Sequence, residues 1–239
     1  MGGVLGIVAA KDPDFMIKSL LKLNVLGQEV YLTTTHVSLL IICTFLIVFA
    51  VIVRSKLKDT DGKPGALQNV AELIVEMLDG MVSSSMGKKG NPYRNYMGTL
   101  FIFLLISNLS GLLGLRPPTA DYGVTLGLGL ITFFIVQTNN IRYNKLGAFT
   151  DLFKPLPFLF PINFIGEIAT PISLSLRLFG NVLAGTVIMA LIYGLLSSIA
   201  FLWPGVLHVY FDIFSGAIQA YVFCMLTMVF VGNKIPDKE

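Results

Sequence analysis

The uncharged run VSLLIICTFLIVFAVIV, from Val37 to Val53, constrains this chain more than any other feature, and four further largely apolar segments follow it. A helix of such residues is just long enough to cross the ~30 Å hydrocarbon core of a bilayer, where only helices and closed barrels satisfy their own backbone groups. Of 239 residues 54% are hydrophobic and 13% charged, the mean hydropathy is +0.77, and the charges cluster between the apolar runs. The chain therefore reads as an all-α polytopic membrane protein.

The segments divide at residue 36. Residues 1–35 carry Lys11, Asp12, Asp14, Lys18, Lys22 and Glu29 among short apolar pieces, an extramembrane segment of balanced charge. The first long apolar run starts about thirty residues in and lacks a small-residue cleavage pattern, so residues 1–26 are expected to stay on the mature chain. Residues 36–239 form the membrane-embedded part. After the first span come Arg54, Lys56, Lys58 and Lys63, and the positive-inside rule places this loop in the cytoplasm and the N-terminus outside.

Residues 66–86 are helical in pattern but too polar to span. Glu72, Glu76, Asp79 and Ser83 share one face, and Val70, Ile74, Met77 and Met81 the other. This predicts an amphipathic interfacial helix whose acidic face is solvated or docks a partner subunit. KKGNPYR is the next cytoplasmic loop. Met97 to Leu115 spans outward with Asn108 and Ser110 turned to other helices, and Val124 to Val136 returns. Arg142, Lys145 and Lys154 follow inside, and the prolines of KPLPFLFP mark a rigid entry to the next helix.

Two longer segments remain, about 163–201 and 206–231, separated by Trp203-Pro204-Gly205. The first, at roughly 55 Å if helical throughout, must be strongly tilted, kinked at Pro171 or broken. Five spans and a cytoplasmic C-terminus agree with every basic cluster. Cys43 and Cys224 lie within apolar runs as small hydrophobes, so they imply neither a disulfide nor a zinc site. The net charge of +3 follows topology and does not point to nucleic acid.

Each long segment carries a polar stripe. At ~100° per residue Asn163, Thr170, Ser173, Arg177 and Asn181 fall within about 40° of one line, with Glu167 at its edge. On the last helix His208, Asp212, Ser215 and Gln219 follow one another at three or four residues. Ionisable groups at membrane depth mark ion or proton pathways, and the alternative is a hydrogen-bonded network that holds two helices together. Arg177 decides the emphasis. A guanidinium stays charged, and placing it at bilayer depth costs from a few to more than ~10 kcal/mol. Its own helix offers no carboxylate within a turn, so the counter-charge is either Asp212 or a group from another chain.

SLSLRLFGNVLAG, from Ser173 to Gly185, resembles the signature of subunit a of rotary F-type ATP synthases. SNLSGLLGLRPPTADYGVTLGLGL, from Ser107, resembles the third and fourth helices of bacterial forms, and IQAYVFCMLTMVFV, from Ile218, is similar to the family's last helix. The resemblance implies a stator ion-channel subunit in the bacterial plasma membrane, beside a ring of c subunits that each bear a carboxylate, with b subunits of the peripheral stalk as further partners and lipid around it. Arg177 matches the family's essential arginine, standing between two aqueous half-channels, and Asn181 and Gln219 match polar positions facing the ring or the arginine. Many bacterial members carry a glutamate nine residues after the arginine and a histidine seven before the glutamine; here these are Thr186 and Asp212. Asp212 is thus expected to carry the relay of the outer half-channel, with His208 one turn away, and Glu167 to serve the inner one. The ion is expected to be H⁺, with Na⁺ as the alternative. No phosphate-cradling G-x-x-x-x-G-K-[ST] loop is present, so neither ATP chemistry nor a cofactor is expected here. A small secondary permease and a purely structural membrane anchor are the rival readings.

Overall fold

The computed structural model describes residues 19–25, 28–56, 65–113, 115–145, 147, 158, 160–195 and 203–236. Two antiparallel strands, β1 (Ser19–Val25) and β2 (Gln28–Thr33), form a hairpin ahead of the helices. The membrane-embedded part is helical as expected, and this hairpin is the departure from an all-α chain among the described residues.

Helix α1 (Thr34–Lys56) contains the first apolar run and buries only Thr35, Ser38 and Ile42. Leu40, Ile47 and Val51 are all more than 60% exposed, as suits a peripheral helix solvated by lipid tails. Helix α2 (Ala66–Met86) runs through a 3₁₀ segment, Gly87–Tyr93, into α3 (Arg94–Leu109). The KKGNPYR stretch expected as a loop is therefore wound. Gly90 makes this possible, because a Cβ there would lie 2.6 Å from Val82 Cγ1. The buried face of α2 is also rotated from the expected one. Leu78, Val82 and Met86 are buried while Val70 and Met77 are exposed, since the helix packs on α3 and the last helix rather than lying free.

Helix α4 (Tyr122–Asn144) is longer than Val124 to Val136. Polarity after Val136 suggests an end, yet Asn139 accepts a hydrogen bond from the Tyr93 hydroxyl and Asn140 accepts one from Asn144. Paired in this way, the amides are tolerated inside the bundle. Helix α5 (Phe160–Leu195) is continuous through Pro171, which rules out a break among the described residues. Thirty-six residues give ~54 Å of helix, so it lies strongly tilted to the membrane normal. Most of KPLPFLFP and residues 196–202 lie outside the described residues.

Trp203-Pro204-Gly205, expected to separate two helices, instead opens α6 (Trp203–His208), where a proline in the first turn lacks only an N–H that would have no partner anyway. A π-helical segment, Val209–Ser215, follows and leads into α7 (Gly216–Asn233). Among the described residues five helical stretches are long and apolar enough to span a membrane. Two buried clusters hold all of them but α1 together. Val82, Met86, Met97, Val136, Met228 and Val231 join α2, α3, α4 and α7. Leu100, Leu104, Leu174, Leu178 and Phe223 join α3, α5 and α7.

Candidate functional site

Arg177 projects from the middle of α5. It is exposed on the bundle surface and makes no hydrogen bond or ion pair among the described residues. Ser173, one turn earlier, is exposed on the same side. Together with Thr170, Leu226 and Phe230 they line a shallow concavity of about 200 Å³. The Arg177–Asp212 pair considered from the sequence does not form. Asp212 Oδ2 lies 2.7 Å from His208 Nδ1 instead.

The larger of two flanking cavities, about 710 Å³, lies between α4, α5 and α7 toward the end that carries Asn144 and Lys234. Asn163, Glu167 and Thr170 reach it from α5, so half of the sequence stripe faces this space. Gln137 Nε2 donates to Glu167 Oε2 at 2.9 Å, and Lys234 Nζ donates to Glu167 Oε1 at 3.0 Å. The Thr170 hydroxyl donates to the Gly166 carbonyl one turn back. Gly129 lets α4 approach α5 closely at this cavity, since a Cβ there would come within 2.7 Å of the Pro171 carbonyl oxygen.

The second cavity, about 420 Å³, lies toward the opposite end, among α3, its connection to α4, α5 and the π-helical segment. Asn181, Thr186, His208 and Asp212 line it, together with Asn108 and Arg116. Asn181 and Ser215 exchange hydrogen bonds, Nδ2 to Oγ at 2.9 Å and Oγ to Oδ1 at 3.0 Å, and so tie α5 to the π-helical segment. A π turn has a wider repeat than an α turn and recurs at functional sites. Here it carries Asp212 in its middle. Asn108 Nδ2 donates to the Gly216 carbonyl at 2.9 Å, and Asn108 Oδ1 accepts from Thr119 at 2.8 Å. A Cβ on Gly216 would meet Asn108 Cβ at 2.9 Å, so glycine sets how near α7 comes to α3.

Gln219 is buried at 7% exposure, and its Nε2 has no partner among the described residues. The ten residues singled out from the sequence thus divide into three groups and one buried amide. Asn163, Glu167 and Thr170 face one cavity; Thr170, Ser173 and Arg177 line the concavity; Asn181, His208, Asp212 and, through Asn181, Ser215 belong to the other cavity. Gln137, Lys234, Arg116 and Thr119 were not among them. Gln137 follows an apolar run and Lys234 sits in a charged tail, so neither stands out by pattern.

A family model described as ATP synthase A chain matches residues 36–232. The chain is 39% identical to the sodium-ion-specific ATP synthase subunit a of Propionigenium modestum, over 87% of this chain and 75% of that protein. It is 34% identical to ATP synthase subunit a of Staphylococcus saprophyticus over 96% of this chain and 99% of that one. The subunit a of Priestia megaterium is 36% identical over 72% of this chain and 80% of its own length.

Proposed function

Because the chain belongs to the ATP synthase A chain family and is the stator ion-channel subunit of Fo, a membrane component of the complex, we propose that its two cavities are the half-channels of the motor. The second cavity, with Asp212, His208, Thr186 and Asn181, admits the ion from outside; the larger one, with Glu167, Asn163 and Thr170, releases it to the cytoplasm. Arg177 divides them. Along α5 it stands roughly 6 Å from Asn181 on one side and roughly 10 Å from Thr170 on the other.

The observation that carries this reading is the position of Arg177: exposed, unpaired within the described chain, and flanked by a cavity toward each end of the bundle. A lone guanidinium facing lipid is costly, so the partner comes from the ring of c subunits, one carboxylate at a time. A proton entering past Asp212 neutralises a ring carboxylate, which then rotates into lipid. After most of a turn that site meets the field of Arg177, which favours its charged form, and gives up the proton toward Glu167. Arg177 cannot itself release a proton and bridge the half-channels. Each charge crossing 100 mV carries about 2.3 kcal/mol, which such a leak would dissipate.

The chain has no catalytic role of its own in this reading and works in the bacterial plasma membrane, its N-terminus outside and its C-terminus in the cytoplasm. Arg54, Lys56, Arg142 and Lys145 at the ends of α1 and α4 support that orientation. The b subunits of the peripheral stalk hold the chain against rotation. In the assembled complex, Arg177→Ala is expected to abolish ion-coupled ATP synthesis while the subunit still assembles. Coupled synthesis that survives in Arg177→Ala would overturn the proposal.

A further inference from the structure

Lys234 follows the last residue of α7, yet its ammonium is 3.0 Å from Glu167 on α5. The same carboxylate takes its other hydrogen bond from Gln137 on α4. One anion is therefore held by two donors from two further elements. Both members of the ion pair have side chains only 28% exposed. Among the described residues they are also the only charged ones lining the cavity, whose remaining polar lining is Asn, Gln and Thr. A glutamate in a space of about 710 Å³ has room to adopt several rotamers, and two fixed donors restrict it to one.

From this geometry we infer that Lys234 is a positioning residue of the inner half-channel: its ammonium keeps the Glu167 carboxylate turned into the cavity and cancels its charge. The inference rests on the reading of Glu167 as part of the exit path. Without Lys234 the carboxylate keeps a single neutral donor, Gln137, and presents an uncompensated negative charge at the exit. Such a charge holds a departing cation by Coulomb attraction, which is strong in a half-buried site. Paired, the carboxylate is an acceptor in a defined place that does not trap what passes.

The test uses the whole complex, with its ring and catalytic head, reconstituted in vesicles. ATP-driven ion pumping and ion-driven synthesis are measured for Glu167→Gln, Lys234→Gln, Lys234→Arg and the double Glu167→Gln/Lys234→Gln variant. Lys234→Gln is expected to slow coupled turnover about fivefold, a coupling of ordinary size for a pair in contact. Lys234→Arg is expected to recover most of that loss. The double variant should be no slower than Glu167→Gln alone, because a residue acting through Glu167 has nothing left to act on. Losses that multiply in the double variant, or an unchanged rate in Lys234→Gln, would overturn the role of Lys234. A wild-type rate in Glu167→Gln would overturn the exit-path reading, and this inference with it. Should Lys234→Gln fail to assemble, the reversed pair Glu167→Lys/Lys234→Glu decides. It keeps the tie between α5 and the end of α7 but moves the carboxylate off α5. Low turnover supports the inference, and wild-type turnover reduces Lys234 to an anchor.

Discussion

At the residue scale the two acids of the site are held differently, and the difference matches their proposed tasks. Asp212 has a histidine one turn away as its partner. Glu167 is held by two donors, the Lys234 ammonium and the side-chain N–H of Gln137. Asp212, the proposed relay, is thus held by one neighbour four residues away, whereas Glu167 is held from two further elements. Replacing Asp212 with Asn keeps shape and removes the titrating group, and coupled synthesis is expected to fall by about an order of magnitude or more. Thr186 lines the same cavity on the facing helix. Adding Thr186→Glu to Asp212→Asn is therefore expected to restore part of the rate. Synthesis rates in inverted vesicles decide this, and an undiminished rate in Asp212→Asn removes that residue from the path. Gln219 adds a third case: its buried unpartnered Nε2 is a group whose desolvation costs about 1–3 kcal/mol unless an acceptor arrives from outside the described chain.

At the element scale, the spacing between helices is set by a few glycines. Helix α4 meets α5 at Gly129, where the Pro171 carbonyl oxygen occupies the place of a side chain, and Pro171 itself is buried. Gly129→Ala puts a methyl group 2.7 Å from that oxygen, so the helices must separate or shift. Overpacking of this kind costs about 1–3 kcal/mol. The variant is expected to lower the thermal stability of the purified complex and to slow turnover, because the larger cavity lies along this contact. A denaturation midpoint equal to wild type would show that α4 yields freely. The π-helical segment is the second element-level device. Asp212 belongs to the cavity while Ser215, three residues on, is tied to Asn181. A plain helix was the reading from spacing alone, and residues such as Tyr210, Phe211 and Phe214 give no sign of where a wider turn will form.

For the molecule as a whole, the bundle is lopsided. Its buried clusters lie among α2, α3, α4, α5 and α7, while α5 leaves Ile165, Ser173, Leu176 and Arg177 on the surface. An exposed charge among apolar residues such as Ile165 and Leu176 on α5 suits a moving partner rather than lipid alone. Both cavities pair a few ionisable residues, Glu167 with Lys234 in one and Asp212 with His208 in the other, with neutral polar groups that suit a wet passage. With H⁺ as the coupling ion, ATP hydrolysis by the reconstituted complex is expected to be independent of Na⁺ at neutral pH. Stimulation by Na⁺ would assign Na⁺ in its place.

Five spans, the just-sufficient length of α1 and the excessive length of α5 were determined by the sequence, because a bilayer imposes one length and one polarity on whatever crosses it. The same holds for the list of polar residues at depth, since each is conspicuous against an apolar background. Only the tertiary structure decided which of them share a space. Asn163 and Asn181 fall on one line along α5 yet face different cavities, because helices α4 and α7 close over one end and the α3–α4 connection and π turn over the other. Gln137 and Lys234 meet Glu167 from distant parts of the chain, and no periodicity within a single helix encodes such a contact.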